Sequence, residues 1–121
     1  MGNATSNPVI HFEVLGQDAG ALRRFYADAF GWQLGPADDG PMQYSMVHLK
    51  DRGGIDGGIG KAPQGPGHVT FYVGVEDPQA ALDQVERLGG KTVQPPVQIP
   101  GGVTFALFAD PEGHVVGLLA G

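Results

Sequence analysis

The chain contains no cysteine, which excludes disulfides, thiolate metal sites and a cysteine nucleophile together. Its two serines, Ser6 and Ser45, lie outside any Gly-x-Ser-x-Gly turn, so serine-hydrolase chemistry has no nucleophile to work from. Basic residues are few: 7 Lys and Arg against 13 Asp and Glu leave a net charge of −6. Arg23-Arg24 is the single adjacent basic pair, whereas a binder of phosphate backbones needs clustered cations. No nucleic-acid partner is expected. No apolar run approaches the roughly 20 residues of a membrane-spanning helix, so no membrane partner is expected either. Met1–Asn7 lacks the basic start and apolar stretch of a secretory signal; it reads as a flexible tail, and the expected location is cytoplasmic.

What is present is strand pattern punctuated by glycine. The 21 glycines are not periodic, and they mark turns and close backbone approaches between apolar stretches. At 121 residues, one compact domain over residues 8–121 is the expectation. Gly53-Gly54 and Gly57-Gly58-Ile59-Gly60 lack the Lys-Ser/Thr ending and following helix of a phosphate loop.

The pattern is written twice. A strand over 9–15 leads to Asp18 and a helix ending near Phe30; a strand over 68–75 leads to Asp77-Pro78 and a helix ending near Leu88. Asp18 and Asp77 suit the N-cap, where a carboxylate accepts from first-turn amides, and Pro78 suits the first helical position. Leu22, Phe25, Tyr26, Ala29 and Phe30 carry the spacing of a core-facing stripe, as do Ala81, Leu82, Val85 and Leu88. Three strands should follow each helix, at about 32–36, 42–50 and 55–61, then 91–94, 103–109 and 114–120. The linker Ala62-Pro63-Gln64-Gly65-Pro66-Gly67 separates module one (8–61) from module two (67–120). His11 and His68 are half a chain apart and are expected to superpose.

Alternation along the opening strands sorts their faces. Ile10, Phe12 and Val14 oppose His11, Glu13 and Leu15; Val69, Phe71 and Val73 oppose His68, Thr70 and Tyr72. The wholly apolar sets are expected under the helices. The mixed sets would then line a pocket, which makes Glu13, Thr70 and Tyr72 candidate ligand-binding residues. Tyr44, Met46 and His48 alternate in the expected third strand and join that list, with Val47 and Leu49 as the alternative pocket side. His114, in a turn, is expected to be solvated.

His11-Phe12-Glu13-Val14-Leu15-Gly16-Gln17-Asp18, then Arg24-Phe25-Tyr26 and Phe30-Gly31-Trp32, resembles the opening of a vicinal-oxygen-chelate module. Ala109-Asp110-Pro111-Glu112-Gly113-His114-Val115-Val116 resembles the same superfamily's turn into its last strand. The resemblance to this glyoxalase/bleomycin-resistance/dioxygenase superfamily covers about residues 8–120. It implies an α+β fold of two tandem βαβββ modules around a U-shaped cavity, within a homodimer. In metal-dependent members each module gives one divalent ion a first-strand histidine and a last-strand glutamate. On that pattern His11 and His68 are the candidate metal ligands, for zinc, nickel, manganese or iron. The carboxylate positions fall at Gly117 and at Gly57 or Gly58, which have no side chain; Glu13 is the candidate third ligand, and Asp56 the next.

Two functional readings follow. One is a non-catalytic protein that holds a small molecule in the sheet-lined cavity. The other is a metal-assisted lyase, isomerase or dioxygenase using His11 and His68 with an unorthodox third ligand. The missing carboxylates favour the first; the two histidines favour the second.

Overall fold

The computed structural model describes residues 6–121 and shows an α+β fold with a mixed sheet; most of the expected tail lies outside the described residues. Its elements are β1 (Val9–Gly16), α1 (Ala19–Phe30), β2 (Ser45–Val47), a 3-10 turn (Lys50–Arg52), β3 (Gly57–Lys61), β4 (His68–Gly74), α2 (Pro78–Arg87), β5 (Lys91–Gln98), β6 (Thr104–Ala109) and β7 (Val115–Ala120). The chain divides into two compact units, His11–Thr70 and Phe71–Gly121 with the stretch ending at Ile10.

Both helices start where the sequence signals them. Asp18 Oδ1 accepts from the Ala21 amide at 3.0 Å, and Asp77 Oδ1 from the Ala80 amide at 3.1 Å. Each such cap contributes about 1 kcal/mol. Gly31 closes α1 at φ 69°, its amide reaching the Ala27 carbonyl at 2.8 Å.

In the unit 11–70 the strand order is β2-β3-β1, with β1 and β3 parallel and β2 antiparallel to β3. Val14, Val47 and Ile59 form its core, and Phe12, Leu22, Tyr26, Trp32, Leu34 and Leu49 pack around them. Gly67 is required by position: at φ 95° any Cβ would run into the Leu15 carbonyl. In the other unit the order is β4-β7-β6-β5; β4 and β7 are parallel and the remaining pairs antiparallel. Its core is Leu82, Ala106 and Leu118.

Several expectations change. The strand over 32–36 reduces to a single bridge between Leu34 and Val47. The strand over 42–50 keeps only Ser45–Val47, because Gln43 turns to φ 48° and Lys50–Arg52 coils into the 3-10 turn. The strand at 91–94 instead runs to Gln98 through Pro95-Pro96. It lies last in the β4-β7-β6-β5 order, and its ladder shifts register around the prolines, where missing amides are tolerated.

The apolar faces are also less covered than alternation implies. Val69 is 73% exposed and Phe71 is exposed too, while Thr70 and Tyr72 are buried. Cover on this face comes only toward the end of β4, where Val73 packs against the core around Leu82. Along α1, Leu22 and Tyr26 turn inward, whereas Phe25 and Phe30 stay exposed. A five-residue stripe is wider than the strip of sheet beneath it.

Matching landmarks recur along the chain, but at a spacing that is not that of the histidines. One spacing separates Val9 from His68 at the strand starts, Asp18 from Asp77 at the caps, and Ala19 from Pro78 at the helix starts. It exceeds the His11-to-His68 spacing by two residues. On it, His11 answers to Thr70, Glu13 to Tyr72 and Gly58 to Gly117. The ladders agree: Glu13 pairs with Gly58 in one unit, Tyr72 with Gly117 in the other. In this register His11 answers to Thr70 and not to His68.

Candidate functional site

Within the unit 11–70, four polar side chains form one hydrogen-bonded chain. β1 turns His11 and Glu13 to the face opposite Phe12 and Val14. His68 opens β4, and Tyr44 stands just before β2. The loop ahead of Tyr44 holds it firmly. Asp38 Oδ1 accepts from the amides of Gly40 and Tyr44 at 2.9 and 3.3 Å, and the Asp38 amide donates to the Tyr44 carbonyl at 3.0 Å. Arg23 on α1 donates to the Gln43 carbonyl at 3.1 Å.

Held this way, the Tyr44 ring lies across Gly58, and its hydroxyl donates to Glu13 Oε2 at 3.0 Å. His11 Nε2 stands 2.9 Å from the same hydroxyl, the two rings stacked at 18°. His68 Nε2 stands 3.1 Å from Glu13 Oε1. Glu13 is only 7% exposed.

The proton positions follow from the donor inventory. A carboxylate only accepts, so Tyr44 donates to Glu13 and His68 donates through Nε2–H. With its single proton spent, the Tyr44 oxygen must accept from His11, which therefore carries its proton on Nε2. Burial pushes the His11 imidazole below its ordinary pKa, against the pull of Glu13 and then Asp56. His11 is thus a neutral donor near pH 7.

The other candidates fall elsewhere. Thr70 is buried in β4. Tyr72, in the other unit, is buried with its ring across Gly117. Met46 is partly exposed on β2 beside Gly58 in the ladder, and Val47 belongs to the core. His48 lines a separate cavity of about 770 Å³ with Trp32, Lys50, Arg52 and Asp56. A second cavity of about 360 Å³, in the other unit, is lined mainly by apolar groups around Ile10, Val103 and Leu119. Asp56 Oδ1 is committed to the amides of Leu49 and Lys50, at 2.8 and 3.0 Å, and the Leu49 bond chiefly holds its pKa below the usual range. It pins the 3-10 turn. His114 is paired rather than merely solvated, its Nδ1 standing 2.9 Å from Asp110 Oδ2.

The metal that the resemblance implies can be tested against these residues. Within the unit 11–70 the positions that answer to ligands on the observed spacing hold His11, Thr70 and Gly58, a single imidazole among them. Among the described residues, no group of three or more His, Asp or Glu is arranged to hold an ion. His11 and His68 both direct Nε2–H at protein acceptors, so neither Nε2 lone pair faces outward. The set does not fit a divalent ion, which in catalytic zinc sites takes three protein ligands.

Sequence reasoning picked out all four members of this chain but not their connection. It grouped Tyr44 with Met46 and His48, and the turn at Gln43 that sends Tyr44 back over Gly58 left no readable periodicity. Glycine opposite an aromatic was the available signal.

A doubled strand–helix pattern, a mixed sheet and a polar cluster on the first strands define a glyoxalase/bleomycin-resistance fold. The chain matches the Glyoxalase-like domain family over residues 11–119 and belongs to it. It is 32% identical over 108 residues to CFP32 of Mycobacterium tuberculosis, whose name marks it as a glyoxylase candidate. It is 30% identical over 118 residues to the anthracycline biosynthesis protein DnrV of Streptomyces peucetius. Each match takes in 84% of this chain but only 41% and 42% of those longer proteins. Among solved structures, hypothetical protein BH1468 of Bacillus halodurans superposes with a TM-score of 0.75 at 15% identity, over 97% of this chain and 96% of that one. Methylmalonyl-CoA epimerase of Streptomyces coelicolor, in complex with 2-nitronate-propionyl-CoA, gives 0.71 at 14% identity, over 96% and 95%. No helix of the described residues is long and apolar enough to cross a membrane.

Proposed function

We propose that this chain is a small-molecule-binding protein that works without a metal, its polar recognition groups being His11, Glu13, Tyr44 and His68. The carrying observation is the buried Glu13 carboxylate, held between the Tyr44 hydroxyl and His68 Nε2. Burying a carboxylate is costly unless donors satisfy it, and here Tyr44 and His68 supply them. Such groups can exchange partners with an entering oxygen-rich ligand: Tyr44 O–H and His11 Nε2–H become donors to a carbonyl.

The relatives favour that chemistry. One neighbouring structure holds an acyl-CoA analogue, and one relative is named for anthracycline biosynthesis. The reading as a metal-assisted lyase or isomerase lacks a ligand set to support it. The test is titration calorimetry of propionyl-CoA and of an anthracycline aglycone in buffer containing EDTA. Saturable binding of either, weakened at least about tenfold by Glu13→Gln, supports the reading; tenfold corresponds to about 1.4 kcal/mol. No binding of either probe, or equal binding by the variant, contradicts it.

The homodimer implied by the resemblance belongs to the same proposal. Phe25 and Phe30 leave 60% and 64% of their surface exposed on α1, a loss that a second copy of the chain would recover. Light scattering giving twice the 12.6 kDa chain mass would support it, and a monomer at high micromolar concentration would refute it.

A further inference from the structure

Both last strands place a glycine where the resemblance implies a metal-binding carboxylate, and in both a tyrosine ring fills the space. A Cβ built on Gly58 would overlap the Tyr44 ring, and one built on Gly117 would overlap the Tyr72 ring. The two tyrosines reach these positions by different routes. Tyr44 comes from the loop before β2 in one unit; Tyr72 comes from β4, as the ladder partner of Gly117, in the other. Ring-over-glycine packing is a common way to cover a bare strand backbone, and that alone would explain one instance. It does not explain why the Tyr44 hydroxyl also engages both His11 and Glu13.

We infer that Tyr44 is the residue that excludes a divalent ion from the unit 11–70, and that it also stands in for that ion. The Tyr44 hydroxyl bridges His11 Nε2 and Glu13 Oε2, at 2.9 and 3.0 Å, tying up two atoms an ion would need. Its ring blocks the position from which a third ligand would come. A metal centre needs an imidazole lone pair, and here the Nε2 proton of His11 points at the hydroxyl. Replacing glycine by glutamate is therefore not enough to restore a metal site. The tyrosine must leave first.

This inference rests on the metal-independent reading of the site but is tested separately from it. The experiment is titration calorimetry of zinc, nickel and manganese chlorides into metal-stripped protein, with a circular-dichroism melt of every variant. The wild type should give no saturable heat. Gly58→Glu and Gly117→Glu alone should melt several degrees lower and gain no binding. Tyr44→Phe removes the hydroxyl from His11 and Glu13 but keeps the ring over Gly58, so it should gain only weak zinc binding, detectable where the wild type shows none. Tyr44→Ala combined with Gly58→Glu should bind tighter still if it folds; if it does not fold, Tyr44→Phe decides.

One-to-one zinc binding by the wild type, abolished in His11→Ala, would overturn the inference and the metal-independent reading together. Gain of zinc by Gly58→Glu alone with an unchanged melt would overturn the steric part. Folded Tyr44→Phe without any gain would show that the hydroxyl is not what keeps the ion out. Failure of propionyl-CoA and the aglycone to bind would leave all these outcomes unaffected.

Discussion

Deleting the Tyr44 hydroxyl is the sharpest perturbation of the four-residue chain, because Tyr44→Phe leaves the ring on Gly58 in place. Two hydrogen bonds disappear, one to the Glu13 carboxylate at 3.0 Å and one from His11 at 2.9 Å. A bond to a charged group contributes about 1.5–3 kcal/mol, and a neutral one about 1 kcal/mol. Both lie partly buried, so water can recover some of the loss, and a net destabilisation of about 2–3 kcal/mol is expected. For a domain of this size each kcal/mol shifts Tm by about 3–5 °C. The melting temperature should therefore fall by about 6–15 °C, and urea denaturation should show a lower midpoint with an unchanged slope. A loss below about 0.5 kcal/mol would mean that water replaces the hydroxyl at no cost. The tyrosine would then not organise the site.

Leu82 is 1% exposed between Ala106 and Leu118, so Leu82→Ala should cost about 2–5 kcal/mol in chemical denaturation. Gly67→Ala forces a side chain into a φ of 95° against the Leu15 carbonyl and should cost more than about 1 kcal/mol in the same assay. Folding holds the His11 pKa below its unfolded value of about 6.5. The unfolded chain then binds more protons across that window, so this contribution is complete above about pH 6.5 and is lost as pH falls toward the folded value. Melts between pH 8 and pH 5 should show His11→Gln with a flatter decline than the wild type; parallel curves would contradict the assignment.

The parts of the fold readable from the sequence were those governed by local chemistry. Asp18, Asp77, Pro78 and Gly31 mark helix ends through capping, which needs no tertiary partner. The strands at 104–109 and 115–120 carry long apolar runs and emerge almost as expected. Where tertiary context governs, the reading shifts. Val69 and Phe71 follow the alternation of a covered strand, yet only Val73 on that face packs into the core and the other two stay exposed. The two histidines suggested a repeat anchored on identical residues, whereas caps and strand starts set it two residues further on. Physical landmarks located the duplication better than residue identity did. At the site, His11 and Glu13 were accessible because they share a strand face. Their link through Tyr44 depends on a positive φ at Gln43 and on the bare backbone at Gly58, neither of which has a periodic signature.

Nitrogen-15 NMR of the histidine rings at pH 7, recorded with EDTA and again with equimolar zinc, tests the metal-independent site most directly. The account predicts His11 as the neutral Nε2–H tautomer, with ring shifts that zinc leaves unchanged. A lone pair on His11 Nε2, or a zinc-induced shift at that nitrogen, would contradict it.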